Sequence, residues 1–147
     1  MIQRIQSIFL FLASASAFAL FAVPFGTTSG PVAESTIYAD SAYNIQDSIG
    51  LLVLFCLAGA LALISIFLYS NRKTQLLLGR FAMIANIIGL ILAVVFYINN
   101  AAGLQEGIDQ ENYFGISLPF IFLLFAILAQ RAISKDENLV KSSDRLR

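Results

Sequence analysis

Few side chains in this sequence have the chemistry of a catalytic or metal site. The 147 residues include no histidine and a single cysteine, Cys56, in the middle of an apolar run. Histidine-ligated haem, histidine-based zinc sites and histidine acid–base catalysis are therefore excluded within this chain. The nearby acids Asp109 and Glu111 make at most a weak pair for a divalent ion. No phosphate-binding loop, metal-spaced cluster or nucleophile motif is present, so we predict neither an enzyme nor a cofactor.

Arg80 and Asn86 are the polar side chains within the apolar runs with the clearest potential to bind something. An arginine near a helix end can extend to the lipid headgroups, or it can bind an anionic lipid or a carboxylate such as Asp136 or Glu137. An amide at depth usually bridges two helices, and a substrate contact is the alternative for Asn86. Both residues need helices to position them.

Composition and hydropathy place those helices in a membrane. Hydrophobic residues make up 59% of the chain and charged residues only 12%, about half the share in soluble domains. Four apolar runs, each near the length of about 20 residues that crosses a bilayer, lie at 7–25, 48–69, 76–98 and 113–130. In the first run the small residues Ala13 to Ala17 lie inside the apolar stretch, so we interpret it as a span rather than a signal peptide. We predict an all-α four-helix transmembrane bundle of up-down-up-down order over residues 1–133, followed by a cytoplasmic basic amphipathic tail over 134–147.

The charges separate by side of the membrane. All nine basic residues lie before the first run, after the fourth, or around the connection of the second and third, where Arg72 and Lys73 precede the third run and Arg80 lies near its start. Six acids and no basic residue lie in the other two loops, which gives −6 there; nine basic and three acidic residues give +6 on the opposite side. Basic flanking segments stay in the cytoplasm during insertion, so both termini are predicted to be cytoplasmic and the acidic loops periplasmic. Cations at the starts of the first and third runs, Arg4 and Lys73, oppose the helix dipole, so insertion explains the pattern better than helix stability.

Small residues at helical spacing predict close helix packing. Small side chains four residues apart let two helix backbones approach each other. Packing within the bundle is one interpretation and packing against another protein is the other. The predicted helix-packing positions are Ala58, Ala62, Ala85, Asn86, Gly89 and Ala93.

The cytoplasmic side carries the predicted docking residues. Anionic headgroups attract basic residues near the surface by about 1 kcal/mol each. The tail is either a lipid-facing basic segment or a docking segment for a protein partner. The candidate residues for lipid or partner docking are Arg80, Arg131, Lys135, Asp136, Glu137, Leu139, Val140, Lys141, Asp144, Arg145, Leu146 and Arg147.

The two ends of the chain resemble a known family. The opening Met1-Ile2-Gln3-Arg4-Ile5-Gln6 and the ending Asp136-Glu137-Asn138-Leu139-Val140-Lys141-Ser142-Ser143-Asp144-Arg145-Leu146-Arg147 are similar to small four-span inner-membrane proteins of Bacteroidota, catalogued as a domain of unknown function. The resemblance implies a four-helix protein of a Gram-negative inner membrane with periplasmic loops. It implies no activity, cofactor or catalytic residue.

Two functions remain open from the sequence. The first is a non-enzymatic accessory or scaffold subunit of a larger inner-membrane complex, with other membrane subunits and anionic lipid headgroups as partners and no nucleic acid. The second is a small transporter or channel for a neutral or apolar solute, which needs a polar path between helices. Asn86, Ser65, Ser117 and a bend near Pro119 would have to line that path.

Overall fold

The computed structural model confirms the all-α four-helix fold. It describes residues 3–31, 37–101, 110–112 and 114–145; the side chains of 3, 4, 101, 110–112 and 140–145 lie outside the description. The helices are α1 (Gln3–Ala19), α2 (Ile49–Phe67), α3 (Arg72–Ala101) and α4 (Phe114–Arg145). Three short strands, β1 (Gly26–Thr28), β2 (Ala42–Tyr43) and β3 (Gln110–Asn112), and one turn of 3-10 helix (Ile45–Asp47) complete the described elements.

The first helix is shorter than the predicted span over 7–25. After α1 ends at Ala19, the amides of Phe21 and Ala22 donate to the carbonyls of Phe18 and Ala19 in tight turns. Pro24 follows, and proline lacks an amide donor and disfavours helix in the preceding residue. By length and composition, three helical stretches of the described chain are sufficient to cross a membrane, and α1 adds a shorter apolar helix. The three are Ile49–Phe67, Arg72–Asn100 and Phe114–Leu139, and the shorter one is Ile5–Ala19.

The starts of α2 and α3 differ from the sequence prediction. An acid just before an apolar run, as Asp47 is, would be a suitable helix cap. In the structure Asp47 closes the 3-10 turn instead, where its Oδ2 accepts from the Asn44 amide at 2.6 Å, and Ser48 precedes α2. The third helix begins at Arg72 rather than at 76, because Asn71 caps it. The Asn71 side chain accepts from the Thr74 amide at 3.3 Å. Asparagine at this position satisfies an amide that has no partner within the helix.

The last helix is one continuous rod of 32 residues. It passes the predicted boundary between 133 and 134 without a break and ends at Arg145. At 1.5 Å per residue its length is about 48 Å, against about 30 Å for the hydrocarbon core of a bilayer. About 18 Å of α4, more than a third of its length, therefore exceeds what the hydrocarbon core requires.

Neighbouring helices run antiparallel in a closed ring. The largest helix–helix interfaces join α1 with α2, α2 with α3, α3 with α4, and α4 with α1. We call the end that carries the strands the sheet end, and the opposite end, with the α2–α3 connection, the turn end. Antiparallel order is evident in α2 and α3, since Gln75 Nε2 donates to the Ser65 carbonyl at the turn end while Phe55 lies against Gly89 towards the sheet end.

A small antiparallel sheet, absent from the sequence prediction, joins the two loops at the sheet end. The strand order is β2-β1-β3, so the α1–α2 loop supplies the first two strands and the α3–α4 loop the third. Gly26 pairs with Tyr43, and Thr27 pairs with Ala42 on one side and Asn112 on the other. Strands of two or three residues give too little alternation to be found by pattern.

Buried side chains form three layers along the bundle. The sheet-end layer is built on Phe25, Tyr38, Tyr43 and Phe55. Tyr43 donates its hydroxyl to the Ala93 carbonyl at 3.0 Å, and burial, reinforced by the nearby Asp47 and Tyr38, raises the pKa of Tyr43 well above its usual range. The middle layer consists of Phe122 and seven alanines: Ala13, Ala17, Ala58, Ala62, Ala82, Ala85 and Ala126. The turn-end layer comprises Leu10, Leu76, Ala129 and Ile133.

Replacing Ser41 with glycine is expected to stabilise the protein. Ser41 has φ 67°, the left-handed region, which costs a side-chain-bearing residue roughly 1 kcal/mol and glycine almost nothing. Its carbonyl accepts from the Thr28 amide at 2.9 Å, so the surrounding hydrogen bonds hold this backbone in place. We expect Ser41→Gly to raise the free energy of unfolding by about 0.5–1 kcal/mol in detergent. Ser41→Val should lower it, and a stabilised valine variant would contradict the assignment.

Candidate functional site

An open groove between α3 and α4 near the turn end carries the charged side chains that the sequence singled out. Its volume is about 730 Å³. Two other cavities, about 50 Å³ beneath the sheet and about 300 Å³ between α2 and α3, are lined by apolar and aromatic side chains. We call the first the basic groove; its lining residues are Arg80, Met83, Ile127, Gln130, Arg131, Ser134, Lys135, Asn138 and Leu139.

Helical periodicity explains how these residues meet. On α4, Ile127, Arg131, Lys135 and Leu139 follow one another at intervals of four, which places them on one face of the helix. Arg80 approaches from α3. The two arginines and the lysine are exposed, and in the part of the chain that the structure describes no acidic side chain lines the groove. Three positive charges therefore converge on one concave surface.

Two hydrogen bonds across α3 and α4 hold the groove in shape. The Gln130 side chain donates to the Leu76 carbonyl at 3.0 Å and lies across Gly79, whose missing side chain leaves room for it. About two turns further out, Arg72 Nη1 donates to the backbone carbonyl of Asp136 at 2.9 Å. Sequence reasoning missed both contacts. Gly79, one helical turn before the lining residue Met83, was a possible signal, because glycine lets another segment of the chain approach closely.

The structure separates the predicted docking residues into groups. Arg80, Arg131, Lys135 and Leu139 line the basic groove. Asp136 is buried and is not among the residues that line the groove. Glu137 is half-buried and likewise outside the lining. The side chains of Val140, Lys141, Asp144, Arg145, Leu146 and Arg147 lie outside the described residues, as do those of Asp109 and Glu111.

The predicted small packing residues lie inside the bundle. Ala58, Ala62 and Ala85 belong to the middle layer, and Ala93 to the sheet-end layer. Gly89 lies under the ring of Phe55, where an added Cβ would come within 3.1 Å of the ring. These positions are occupied by the chain's own helices, so a protein partner would have to use another surface.

Buried polar groups that the sequence did not reveal gather towards the turn end. Gln6 and Gln75 are buried on α1 and α3, and Asp136 is buried on α4. One side-chain atom of each has no hydrogen-bond partner within the described residues: Gln6 Nε2, Gln75 Oε1 and Asp136 Oδ1. Polar side chains at the edge of an apolar run are usually assigned to the membrane surface, so no sequence pattern placed these three in the interior.

Asn86 bridges two helices. Its Nδ2 donates to the Pro119 carbonyl at 3.1 Å, in the interior between α3 and α4. Ser65 and Ser117 donate to carbonyls of their own helices, those of Leu61 and Phe114. None of these polar residues lines any of the three cavities described above.

We expect Asn86→Ala to lower stability modestly. The variant loses one interhelical hydrogen bond, and such bonds in membrane bundles contribute about 0.6 kcal/mol on average and up to about 1.7 kcal/mol. Denaturant unfolding in detergent micelles measures the loss. Asn138→Ala removes the same amide from an exposed position and should change stability by less than about 0.5 kcal/mol. An equal loss in both variants would contradict the bridging role.

The long apolar helices, their antiparallel ring and the charged rim at one end are the features of a helical membrane protein. The chain belongs to the family described as a domain of unknown function (DUF4293), whose model matches residues 2–146. No curated protein and no solved structure matches it. Among the described residues, no group of three or more histidine, cysteine, aspartate or glutamate side chains is placed to hold a metal ion.

Proposed function

We propose that this protein is a non-enzymatic accessory subunit of a larger complex in the inner membrane of a Gram-negative bacterium. Its termini and the basic groove face the cytoplasm, and its acidic sheet end faces the periplasm. The observation that carries the proposal is the helical extension of α4 beyond the length a membrane requires.

The extension is suited to docking because it is held against the bundle. Arg72 bonds to the Asp136 carbonyl, and Ile133 is fully buried in the turn-end layer. A surface that is already ordered loses less conformational entropy on binding than a flexible tail does. Exposed Leu139 gives this part of α4 an apolar contact point. The interior small-residue faces are already used within the bundle, and the projecting helix is the element that we assign to the partner.

Sidedness is tested first, by labelling single cysteines. In a Cys56→Ser background, Asp40→Cys places a thiol at the sheet end and Lys73→Cys places one at the turn end; both positions are exposed. A membrane-impermeant maleimide applied to spheroplasts should label the first and leave the second unlabelled until the cells are lysed. Labelling of Lys73→Cys in intact spheroplasts would contradict the orientation.

Association is tested by purification from native membranes in a mild detergent. The full chain should co-purify with one or a few stoichiometric membrane proteins, and deletion of 140–147 should reduce their recovery at least about fivefold. This deletion is preferable to one from 136, because Asp136 is buried and its carbonyl holds Arg72. Phe120→Leu, a lipid-facing substitution, is the matched control and should retain the partners. A chain that runs as a lone monomer, with no stoichiometric companion, overturns the proposal.

A further inference from the structure

We infer that the basic groove is a discrete binding site for one anionic phospholipid, with the phosphate at the level of Arg80 and Arg131. The inference concerns the isolated chain and does not depend on the accessory role. It rests on the depth of the two arginines, on the order of polar and apolar side chains along the groove, and on its charge.

The two arginines lie at the same membrane depth. From Arg80 to Asn100, near the sheet end of α3, is 20 residues, or about 30 Å of helix. From Phe114 to Arg131 on α4 is 17 residues, or about 26 Å. Both distances are close to the thickness of the hydrocarbon core, about 30 Å. If the sheet end marks one boundary of the core, the two guanidinium groups lie at the other, where lipid phosphates are found.

The lining changes from apolar to polar in the same direction as a lipid molecule. Met83 and Ile127 lie on the core side of the arginines, each about one helical turn deeper. Lys135 and Asn138 lie one to two turns further out, towards water. An acyl chain fits the first pair and a headgroup the second. A free phosphate or a soluble acidic peptide would leave the deep apolar part of the groove unfilled.

The groove carries positive charge. Arg80, Arg131 and Lys135 bring three cations to a groove that no acidic side chain among the described residues lines. Arginine binds phosphate through paired donors in a planar fork, and basic pockets between transmembrane helices on the cytoplasmic side are known to take anionic headgroups. The volume of about 730 Å³ is far larger than one phosphate requires and is sufficient for a headgroup with the first part of its acyl chains.

Native mass spectrometry of the purified chain in detergent, titrated with single lipids, tests the inference. Phosphatidylglycerol should bind as one tight equivalent, at least about tenfold tighter than phosphatidylcholine, whose phosphate is neutralised by choline. Arg80→Gln, Arg131→Gln and Lys135→Gln should each weaken phosphatidylglycerol about fivefold, from about 1 kcal/mol per basic residue. Arg80→Lys should recover most of the loss. Circular dichroism and thermal unfolding identify any variant that fails to fold, and for Arg80 the lysine variant then supplies the comparison.

The controls distinguish this site from general electrostatic attraction. Lys73→Gln removes the same charge from an exposed position on α3 that does not line the groove, and it should change affinity less than twofold. Inorganic phosphate at millimolar concentration should not displace the lipid, and glycerol 3-phosphate, which lacks acyl chains, should bind at least about tenfold more weakly. Equal losses in Lys73→Gln and the groove variants, equal binding of phosphatidylcholine, or displacement by inorganic phosphate would each overturn the inference.

Discussion

Gly115→Ala is expected to prevent accumulation of the folded protein, or to lower its free energy of unfolding by about 3 kcal/mol or more. Gly115 is the second residue of α4, and it crosses directly over the chain that leaves α1. A Cβ there would overlap the Pro24 carbonyl and come within 2.8 Å of the Phe25 Cα. Because the obstacles are backbone atoms, no side chain can rotate away, and the α1–α4 interface would have to separate.

Thermal and denaturant unfolding in detergent, with the yield of monodisperse protein, measure the effect. Gly30→Ala is the matched control, since a Cβ at Gly30 meets nothing within 4 Å. It should remain within about 0.5 kcal/mol of the parent protein. A Gly115→Ala variant as stable as Gly30→Ala would show that the crossing of α4 over Pro24 is wrong.

Phe55→Ala is expected to cost about 3–5 kcal/mol, the usual range for a buried phenylalanine. The Phe55 side chain is fully buried in the sheet-end layer, 5.8 Å from the ring centre of Phe25 and in contact with Gly89. Gly89, which lies against the ring, has no side chain to extend into the cavity. In a bilayer the loss is one of packing contacts rather than of exclusion from water, since lipid is as apolar as the protein interior.

The comparison with a lipid-facing phenylalanine isolates this packing term. Phe120 on α4 is 55% exposed. In Phe120→Ala, lipid chains can occupy the space that the ring leaves, so few packing contacts are lost. We expect it to change stability by less than about 1 kcal/mol in the same unfolding assay. Similar losses for Phe55→Ala and Phe120→Ala would contradict the sheet-end layer as a packed core.

The basic groove illustrates what sequence reasoning could and could not find. Arg80 was singled out because a charge in an apolar run needs an explanation, and the charged positions at the end of α4 were singled out for sidedness. No feature of the sequence indicated that Arg80 shares a groove with Arg131 and Lys135, and that Asp136 does not line it. That pairing depends on the relative rotation of α3 and α4, which the bonds of Gln130 and Arg72 help to fix.

The predicted helix boundaries were wrong where a local signal opposed the apolar pattern. The apolar residues 20–25 predict a first span that reaches 25, but α1 ends at Ala19, before Pro24 and the strand β1. Hydropathy predicts a third helix that begins at 76, because Arg72, Lys73 and Thr74 are polar. The helix begins at Arg72 instead, because Asn71 caps it and the polar residues lie at the turn end. Hydropathy marks the part of a helix in contact with lipid or core, not the whole helix.

The sequence by itself determined the class of this protein: four helices, a membrane environment, and the separation of basic from acidic ends. These follow from composition and from runs of apolar residues, which act locally and need no knowledge of neighbours. The tertiary structure alone decided which small residues are used inside the bundle, that two loops pair as a sheet, that α4 continues as a rigid rod, and that three cations share one groove. Those features depend on contacts between residues distant in sequence, such as Gly115 with Pro24 and Gln130 with Leu76, which no local pattern records.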